Sequence, residues 1–151
     1  QEDRAGRPFV GPAGRLLREL LVEAGIAEGR VYVTNAVKHF KWRPAGKVRL
    51  HQKPNASQVA ACRQWWEREL EVVDPRLVMC LGATAAQAVF GSKFRITRQR
   101  GEYTQLPSGL WATATIHPSA ILRTEGPDRE VAYEGFVTDL RGAAEHLHRA
   151  A

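Results

Sequence analysis

The sequence is poor in sulfur and has no long apolar run, and each shortage narrows what the chain can be. Its 151 residues hold two cysteines and one methionine. Two thiols, Cys62 and Cys80, cannot form the disulfide framework of a small secreted domain; they fit a reducing compartment, where a thiol is catalytic, metal-binding or simply buried. No stretch approaches the roughly 20 consecutive apolar residues that a membrane span requires, and the first residues lack the charged-then-apolar order of a secretion signal. The expectation is a cytoplasmic protein without membrane attachment. Disorder is disfavoured too, because 44% of the residues are hydrophobic and they recur at helix and strand spacings. The length suits one globular domain or most of one. Internal repeats and low-complexity segments are absent.

Acidic residues are missing from one segment, and that local absence accounts for the net charge of +6. Lys38, Lys41, Arg43, Lys47, Arg49 and Lys53 are six of the 22 basic residues, and the other 16 match the 16 acidic ones. The same segment carries His39, Phe40, Trp42, Pro44, Gly46 and His51, a composition suited to an exposed loop that meets phosphates with cations and bases with aromatic faces. A solvated surface is the bland alternative. A smaller cluster, Lys93, Arg95, Arg98 and Arg100, is open to either reading.

Residues 1–14, rich in Gly, Pro and charge, read as an irregular loop with no strand before it, an unusual start for a domain. Leu16, Leu17, Leu20, Leu21 and Ala24 follow helical spacing, and Gly25 is placed to end that helix. Val31 to Thr34 reads as a strand with Asn35 at its carboxyl end. Asn55 and Gln58 have the spacing of a helix capping pair, followed by Val59, Cys62, Trp66, Leu70 and Val73 on one face. Leu77 to Leu81 reads as a buried strand, followed by Gly82 and a short Ala-rich helix ending near Gly91. One or two short strands are expected over Arg95 to Gln105, another over Trp111 to Ile116, and a last helix from about Asp128 to His148. This alternation predicts an α/β fold, a central parallel sheet with helices on both faces in three layers, and ligands outside the carboxyl ends of its strands.

Asn35 and His117 both fall at such ends. A carboxamide can pair with the edge of a nucleobase, and an imidazole can donate to a developing anion. Taken singly, Asn35 reads equally as a turn residue and His117 as a cap on the following turn. Phe9, in a stiff Pro/Gly loop, suits stacking on a flat ring, although filling the core is the simpler reading. Gly6, Gly11 and Gly14 do not have dinucleotide-fingerprint spacing.

In combination, these residues resemble a known family. Gln1-Glu2-Asp3, Gly6-Arg7-Pro8-Phe9-Val10-Gly11-Pro12-Ala13-Gly14, Val31-Tyr32-Val33-Thr34-Asn35-Ala36-Val37-Lys38, Leu81-Gly82-Ala83-Thr84-Ala85 and His117-Pro118-Ser119 occur in the order seen in family 4 uracil-DNA glycosylases, from the first residue to about Arg141. Lys38-His39-Phe40-Lys41 and the basic stretch Lys47-Val48-Arg49-Leu50-His51 resemble the UdgX class. The hallmark of that class is a Lys-Arg-Arg-Ile-His stretch whose histidine becomes joined to the DNA sugar. Val48 and Leu50 depart from that pattern, while His51 keeps its place.

The resemblance implies the uracil-DNA glycosylase fold with its first strand outside this chain, so that residues 1–151 form a single, N-terminally incomplete domain. It implies a monomeric enzyme acting on uracil-containing DNA, preferably single-stranded. Phe9 would stack on the flipped uracil, Asn35 would pair with it, and His117 would donate to O2. Asp3 would face the sugar, and the Gly-Glu-x-Pro-Gly stretch that normally precedes it is absent. His51 would attack the sugar carbon. Lys38, Lys41, Arg43, Lys47, Arg49, Lys53, Ser119 and Arg123 would contact the DNA. A four-iron, four-sulfur (4Fe-4S) cluster is also implied, with His39 and Cys62 as two ligands and two further cysteines upstream of Gln1; Cys80 reads as a packed thiol. The alternatives are a glycosylase that turns over and leaves a free abasic site, and a non-catalytic fragment that binds single-stranded DNA.

Overall fold

The computed structural model describes residues 9–36, 42–45, 48–51 and 55–151. Helix α1, Pro12–Glu23, starts with proline in its first turn and buries Leu16, Leu17, Leu20 and Leu21. Proline is favoured there because its missing N–H would have no intrahelical acceptor. At the other end, the Ile26 N–H donates to the Leu21 carbonyl at 2.9 Å and that of Gly25 to Val22 at 3.0 Å. These bonds form a Schellman cap, in which Gly25 takes a φ of 75° at low steric cost.

A short 3₁₀ turn, Glu28–Arg30, leads into Val31, which is extended at φ −119° and ψ 128°. The expected strand over Val31 to Thr34 is not a strand among the described residues. Its valines pack against the core, but a strand also needs a ladder of hydrogen bonds, which local propensity cannot supply. The basic segment is a β-hairpin where described, rather than an irregular loop. Strands β1 (Trp42–Ala45) and β2 (Val48–His51) pair antiparallel, with Trp42 opposite His51 and Arg43 opposite Leu50.

Helix α2, Ala56–Val73, opens with the predicted capping box, the Asn55 and Gln58 side chains each accepting from the other residue's backbone N–H. It ends at Asp74, which takes a left-handed φ of 48° before Pro75. Strand β3, Leu77–Leu81, is followed by helix α3, Ala83–Phe90. Of the one or two short strands expected over Arg95 to Gln105, one is present, the two-residue β4, Thr104–Gln105, and the first part of that span is instead helix α4, Ile96–Gln99. The Gln99 side chain accepts from the Arg95 N–H at 2.8 Å, closing a local turn that competes with extension. Strand β5, Trp111–Thr115, is followed by helix α5, Pro118–Arg123, and helix α6, Pro127–Arg149.

The sheet runs β3-β5-β4, with β3 parallel to β5 and β4 antiparallel to β5. It is therefore mixed where an all-parallel sheet was expected, because β4 and β5 are joined by a short hairpin connection. Alternation along β3 places its two faces in different cores. Met79 and Leu81 pack with Phe9, Leu20, Ile121 and Phe136, whereas Val78 and Cys80 pack with Ala86, Ala114, Phe90 and Phe94. Helices α1, α5 and α6 thus cover one face and α3 and α4 the other, which makes three layers. Leu20, Ile121 and Phe136 are fully buried, and each such side chain stabilises the fold by about 1.5–3 kcal/mol. No helix among the described residues is long and apolar enough to cross a membrane.

Candidate functional site

The parallel strands β3 and β5 end side by side, and the backbone just beyond them forms the site. The Gly82 N–H donates to the Thr115 carbonyl at 2.8 Å, tying the two strand ends together. Gly82 has a φ of 89°, and a Cβ there would lie 3.0 Å from the His117 Cβ. Glycine therefore provides both the turn and the room for the imidazole.

His117 is the N-cap of α5, and its Nδ1 accepts from the Ser119 backbone N–H at 3.1 Å. The Ser119 hydroxyl lies 2.7 Å from the same nitrogen, and Arg123 donates to that hydroxyl at 3.0 Å. A backbone N–H can only donate, so Nδ1 holds a lone pair and the proton of the neutral ring sits on Nε2. The capping reading of His117 therefore holds, and the cap selects the tautomer with its proton on Nε2.

Phe9 stacks on His117, with ring centroids 5.4 Å apart and planes inclined by 25°. It is buried within the core cluster that contains Leu20 and Ile121, so core filling and a place beside His117 coexist. Its φ of 56° is unusual for a residue with a side chain. The conformation is held by the close approach of Gly14 and by Arg18, which donates to the Phe9 carbonyl at 3.4 Å. Asn35 is half-buried at the end of the extended segment whose Val31 and Val33 pack on the same core. The hydroxyl of its neighbour Thr34 donates to Glu69 of α2 at 2.5 Å. A cavity of about 240 Å³ lies behind Phe9, between α1 and this segment, and is lined by residues that include Arg18 and Glu28.

Arg43 lies on β1, and Arg49 and His51 lie on β2. Asp3, Lys38, His39, Lys41, Lys47 and Lys53 lie outside the described residues. The second basic cluster is divided by its partners: Arg100 pairs with Asp139 at 2.6 Å, Arg95 binds the carbonyls of Ser92 and Phe94, and Lys93 and Arg98 are exposed.

Cys62 is buried on α2. No group of three or more His, Cys, Asp or Glu side chains able to hold a metal occurs among the described residues. Burial pushes the Cys80 thiol up to about 12, away from the thiolate that a cluster ligand must supply. The described residues alone do not fit an iron–sulfur cluster. Sequence patterns missed the contacts Thr115–Asp139–Arg100 and Thr34–Glu69, which join residues 15 to 39 positions apart and leave no periodic trace.

A family model described as the uracil DNA glycosylase superfamily matches residues 1–141. The Type-4 uracil-DNA glycosylase of Thermotoga maritima is 40% identical over 124 residues, which are 82% of this chain and 61% of that protein. The Type-4 uracil-DNA glycosylases of Pyrobaculum aerophilum and Archaeoglobus fulgidus are 35% and 34% identical over 81% and 80% of this chain, and 62% and 61% of their own length. The chain thus spans about three fifths of the length of these relatives. By sequence match over nearly its whole length, and with a three-layer fold that agrees, the chain belongs to the uracil DNA glycosylase superfamily.

Proposed function

We propose that this chain carries the uracil-excising site of a DNA glycosylase acting on uracil-containing DNA, preferably single-stranded. The observation that carries the proposal is His117, whose Nδ1 accepts the capping bond so that its ring proton sits on Nε2, stacked on Phe9 beyond the ends of β3 and β5. The target nucleotide leaves the base stack and enters beside Phe9. The Asn35 carboxamide oxygen accepts from uracil N3–H and its NH₂ donates to O4. Cytosine presents the opposite pattern at both atoms and is refused.

The bond from the sugar C1′ to uracil N1 then breaks, with its electron pair leaving on the base. Negative charge gathers on O2, where His117 Nε2–H donates; one such donor contributes about 3–4 kcal/mol to lowering the barrier. The sugar becomes oxocarbenium-like and needs a nucleophile. Water, ordered by Asp3, gives a free abasic site. A neutral His51 imidazole gives a C–N bond with no easy leaving route, hence one turnover and a protein–DNA conjugate. The UdgX-like basic stretch that ends in His51 supports the covalent outcome; the names of the relatives, Type-4 glycosylases, favour release. Lys38, Lys41, Arg43, Lys47, Arg49, Lys53, Ser119 and Arg123 would neutralise phosphates. Cys62 and His39 would be two cluster ligands, and no step here depends on a cluster. The protein acts as a cytoplasmic monomer in this reading.

Denaturing electrophoresis with a labelled single-stranded oligonucleotide containing one uracil decides between the outcomes. A boiling-resistant band that requires uracil and disappears in His51→Gln establishes the covalent route. Alkali-sensitive strands without such a band establish hydrolysis. Intact uracil refutes excision by this chain and leaves DNA binding without catalysis.

A further inference from the structure

We propose that Thr115, clamped by Asp139 and Arg100, is a positioning residue that sets the place of His117 for bond cleavage, an inference that rests on the excision reading above. Thr115 is the last residue of β5 and is fully buried. Its hydroxyl donates to Asp139 Oδ2 on α6 at 2.6 Å. Arg100 reaches the same carboxylate oxygen from Nε at 3.0 Å and Nη2 at 2.6 Å, and Nη2 also donates to the Thr115 hydroxyl at 3.2 Å. The hydroxyl thus uses its donor on one partner and a lone pair on the other, which fixes its rotation as well as its position.

The backbone of the same residue holds the site. Its carbonyl accepts from Gly82 N–H at 2.8 Å, and the neighbouring Ala114 carbonyl accepts from Gly101 N–H, next to Arg100, at 2.9 Å. Only Ile116 separates Thr115 from His117, and the closeness of Gly82 to the His117 Cβ leaves little slack. Any slide of the strand end therefore moves the imidazole against both Gly82 and Phe9. A partly buried ion pair is a poor source of net stability compared with apolar packing. Its directional bonds do supply what packing lacks, a fixed register between strand end and helix.

The test measures single-turnover uracil release at saturating enzyme, the half-saturating enzyme concentration, the melting temperature and the ¹⁵N resonances of the His117 ring. Thr115→Val keeps shape but removes the hydroxyl. It is expected to slow release roughly 10- to 100-fold, the effect of a misplacement near 1 Å, with half-saturation unchanged and the His117 resonances shifted. Thr115→Ser, which retains the hydroxyl, is expected to restore both. Should Thr115→Val fail to fold, Arg100→Lys, which keeps the charge but loses the planar fork, carries the same expectation. A wild-type rate with unmoved resonances overturns the inference. So does a loss that Thr115→Ser does not restore and that tracks melting temperature and half-saturation. A wild-type protein that releases no uracil overturns the excision reading instead, and the His117 resonances of the variants then decide whether Thr115 positions the ring.

Discussion

A methyl group added at Gly14 tests how Phe9 is held beside His117. An ideal Cβ there would lie 1.5 Å from the Phe9 carbonyl oxygen, 2.2 Å from its carbon and 2.9 Å from its Cα. All three are backbone atoms, so no rotamer relieves the overlap. Real Cβ atoms stay beyond 3.0 Å, so the Phe9 turn must retreat by about 1.5 Å. In an ordinary helix position, Gly→Ala stabilises by about 1 kcal/mol. Here overpacking costs about 1–3 kcal/mol, and Phe9 already occupies a left-handed φ. Gly14→Ala is expected to be destabilised by a net of up to about 2 kcal/mol, lowering the melting temperature by about 2–4 °C per kcal/mol in a chain of this size. Uracil release should fall about 100-fold as the stack on His117 is displaced. Gly29, with no atom near its would-be Cβ, is the control, and Gly29→Ala should be neutral or slightly stabilising. Urea denaturation and single-turnover release measure both quantities. A Gly14→Ala protein at least as stable as wild type, with an unchanged rate, would refute the argument.

His117→Ala should lower single-turnover release by about 10²–10³-fold, while Ser119→Ala, which keeps the backbone N–H on Nδ1, should lose less. Asn35→Ala should weaken uracil–DNA binding by about 1–3 kcal/mol and erode discrimination against cytosine, read by competition between otherwise identical oligonucleotides. Asn55→Ala should cost about 1 kcal/mol in urea denaturation through loss of the capping box and leave the excision rate unchanged. Cys80 ionises at about 12 when folded against an ordinary 9.0, so the folded state holds its proton more tightly than the unfolded chain. Its contribution is complete below pH 9 and is lost as pH rises from there towards 12, and Cys80→Ala should flatten that part of the stability profile.

Helix α1, the capping box of α2, strand β3 and the last helix were legible in the sequence because their signals are local. Leucine spacing, an Asn three residues before Gln, and an apolar run between Pro75 and Gly82 each depend on residues a few positions apart. Places where the reading failed depend on partners elsewhere in the chain. Val31 to Thr34 has strand composition but no ladder among the described residues, and the basic segment became a hairpin because Trp42 to Ala45 found a register against Val48 to His51. Around Arg95, a glutamine side chain closing back on the backbone outweighed strand propensity.

The identity of the site was likewise divided. Phe9, Asn35 and His117 stand in ordered motifs, which is what singled them out in the sequence as candidates. Whether Phe9 fills the core or meets His117, and whether His117 caps a helix or presents a donor, had no answer in the sequence. Folding brings Phe9 both into the core and onto the His117 ring, and makes His117 a cap whose ring proton sits on Nε2. The sequence alone determined which side chains are available and where helices can start and stop, as these follow from short-range sterics and hydrogen bonding. Only the tertiary structure decided the tautomer of His117, the burial of Thr115 against Asp139 and Arg100, and the need for glycine at position 14. Each of these is a contact between segments that meet only when the sheet and its helices close around the core.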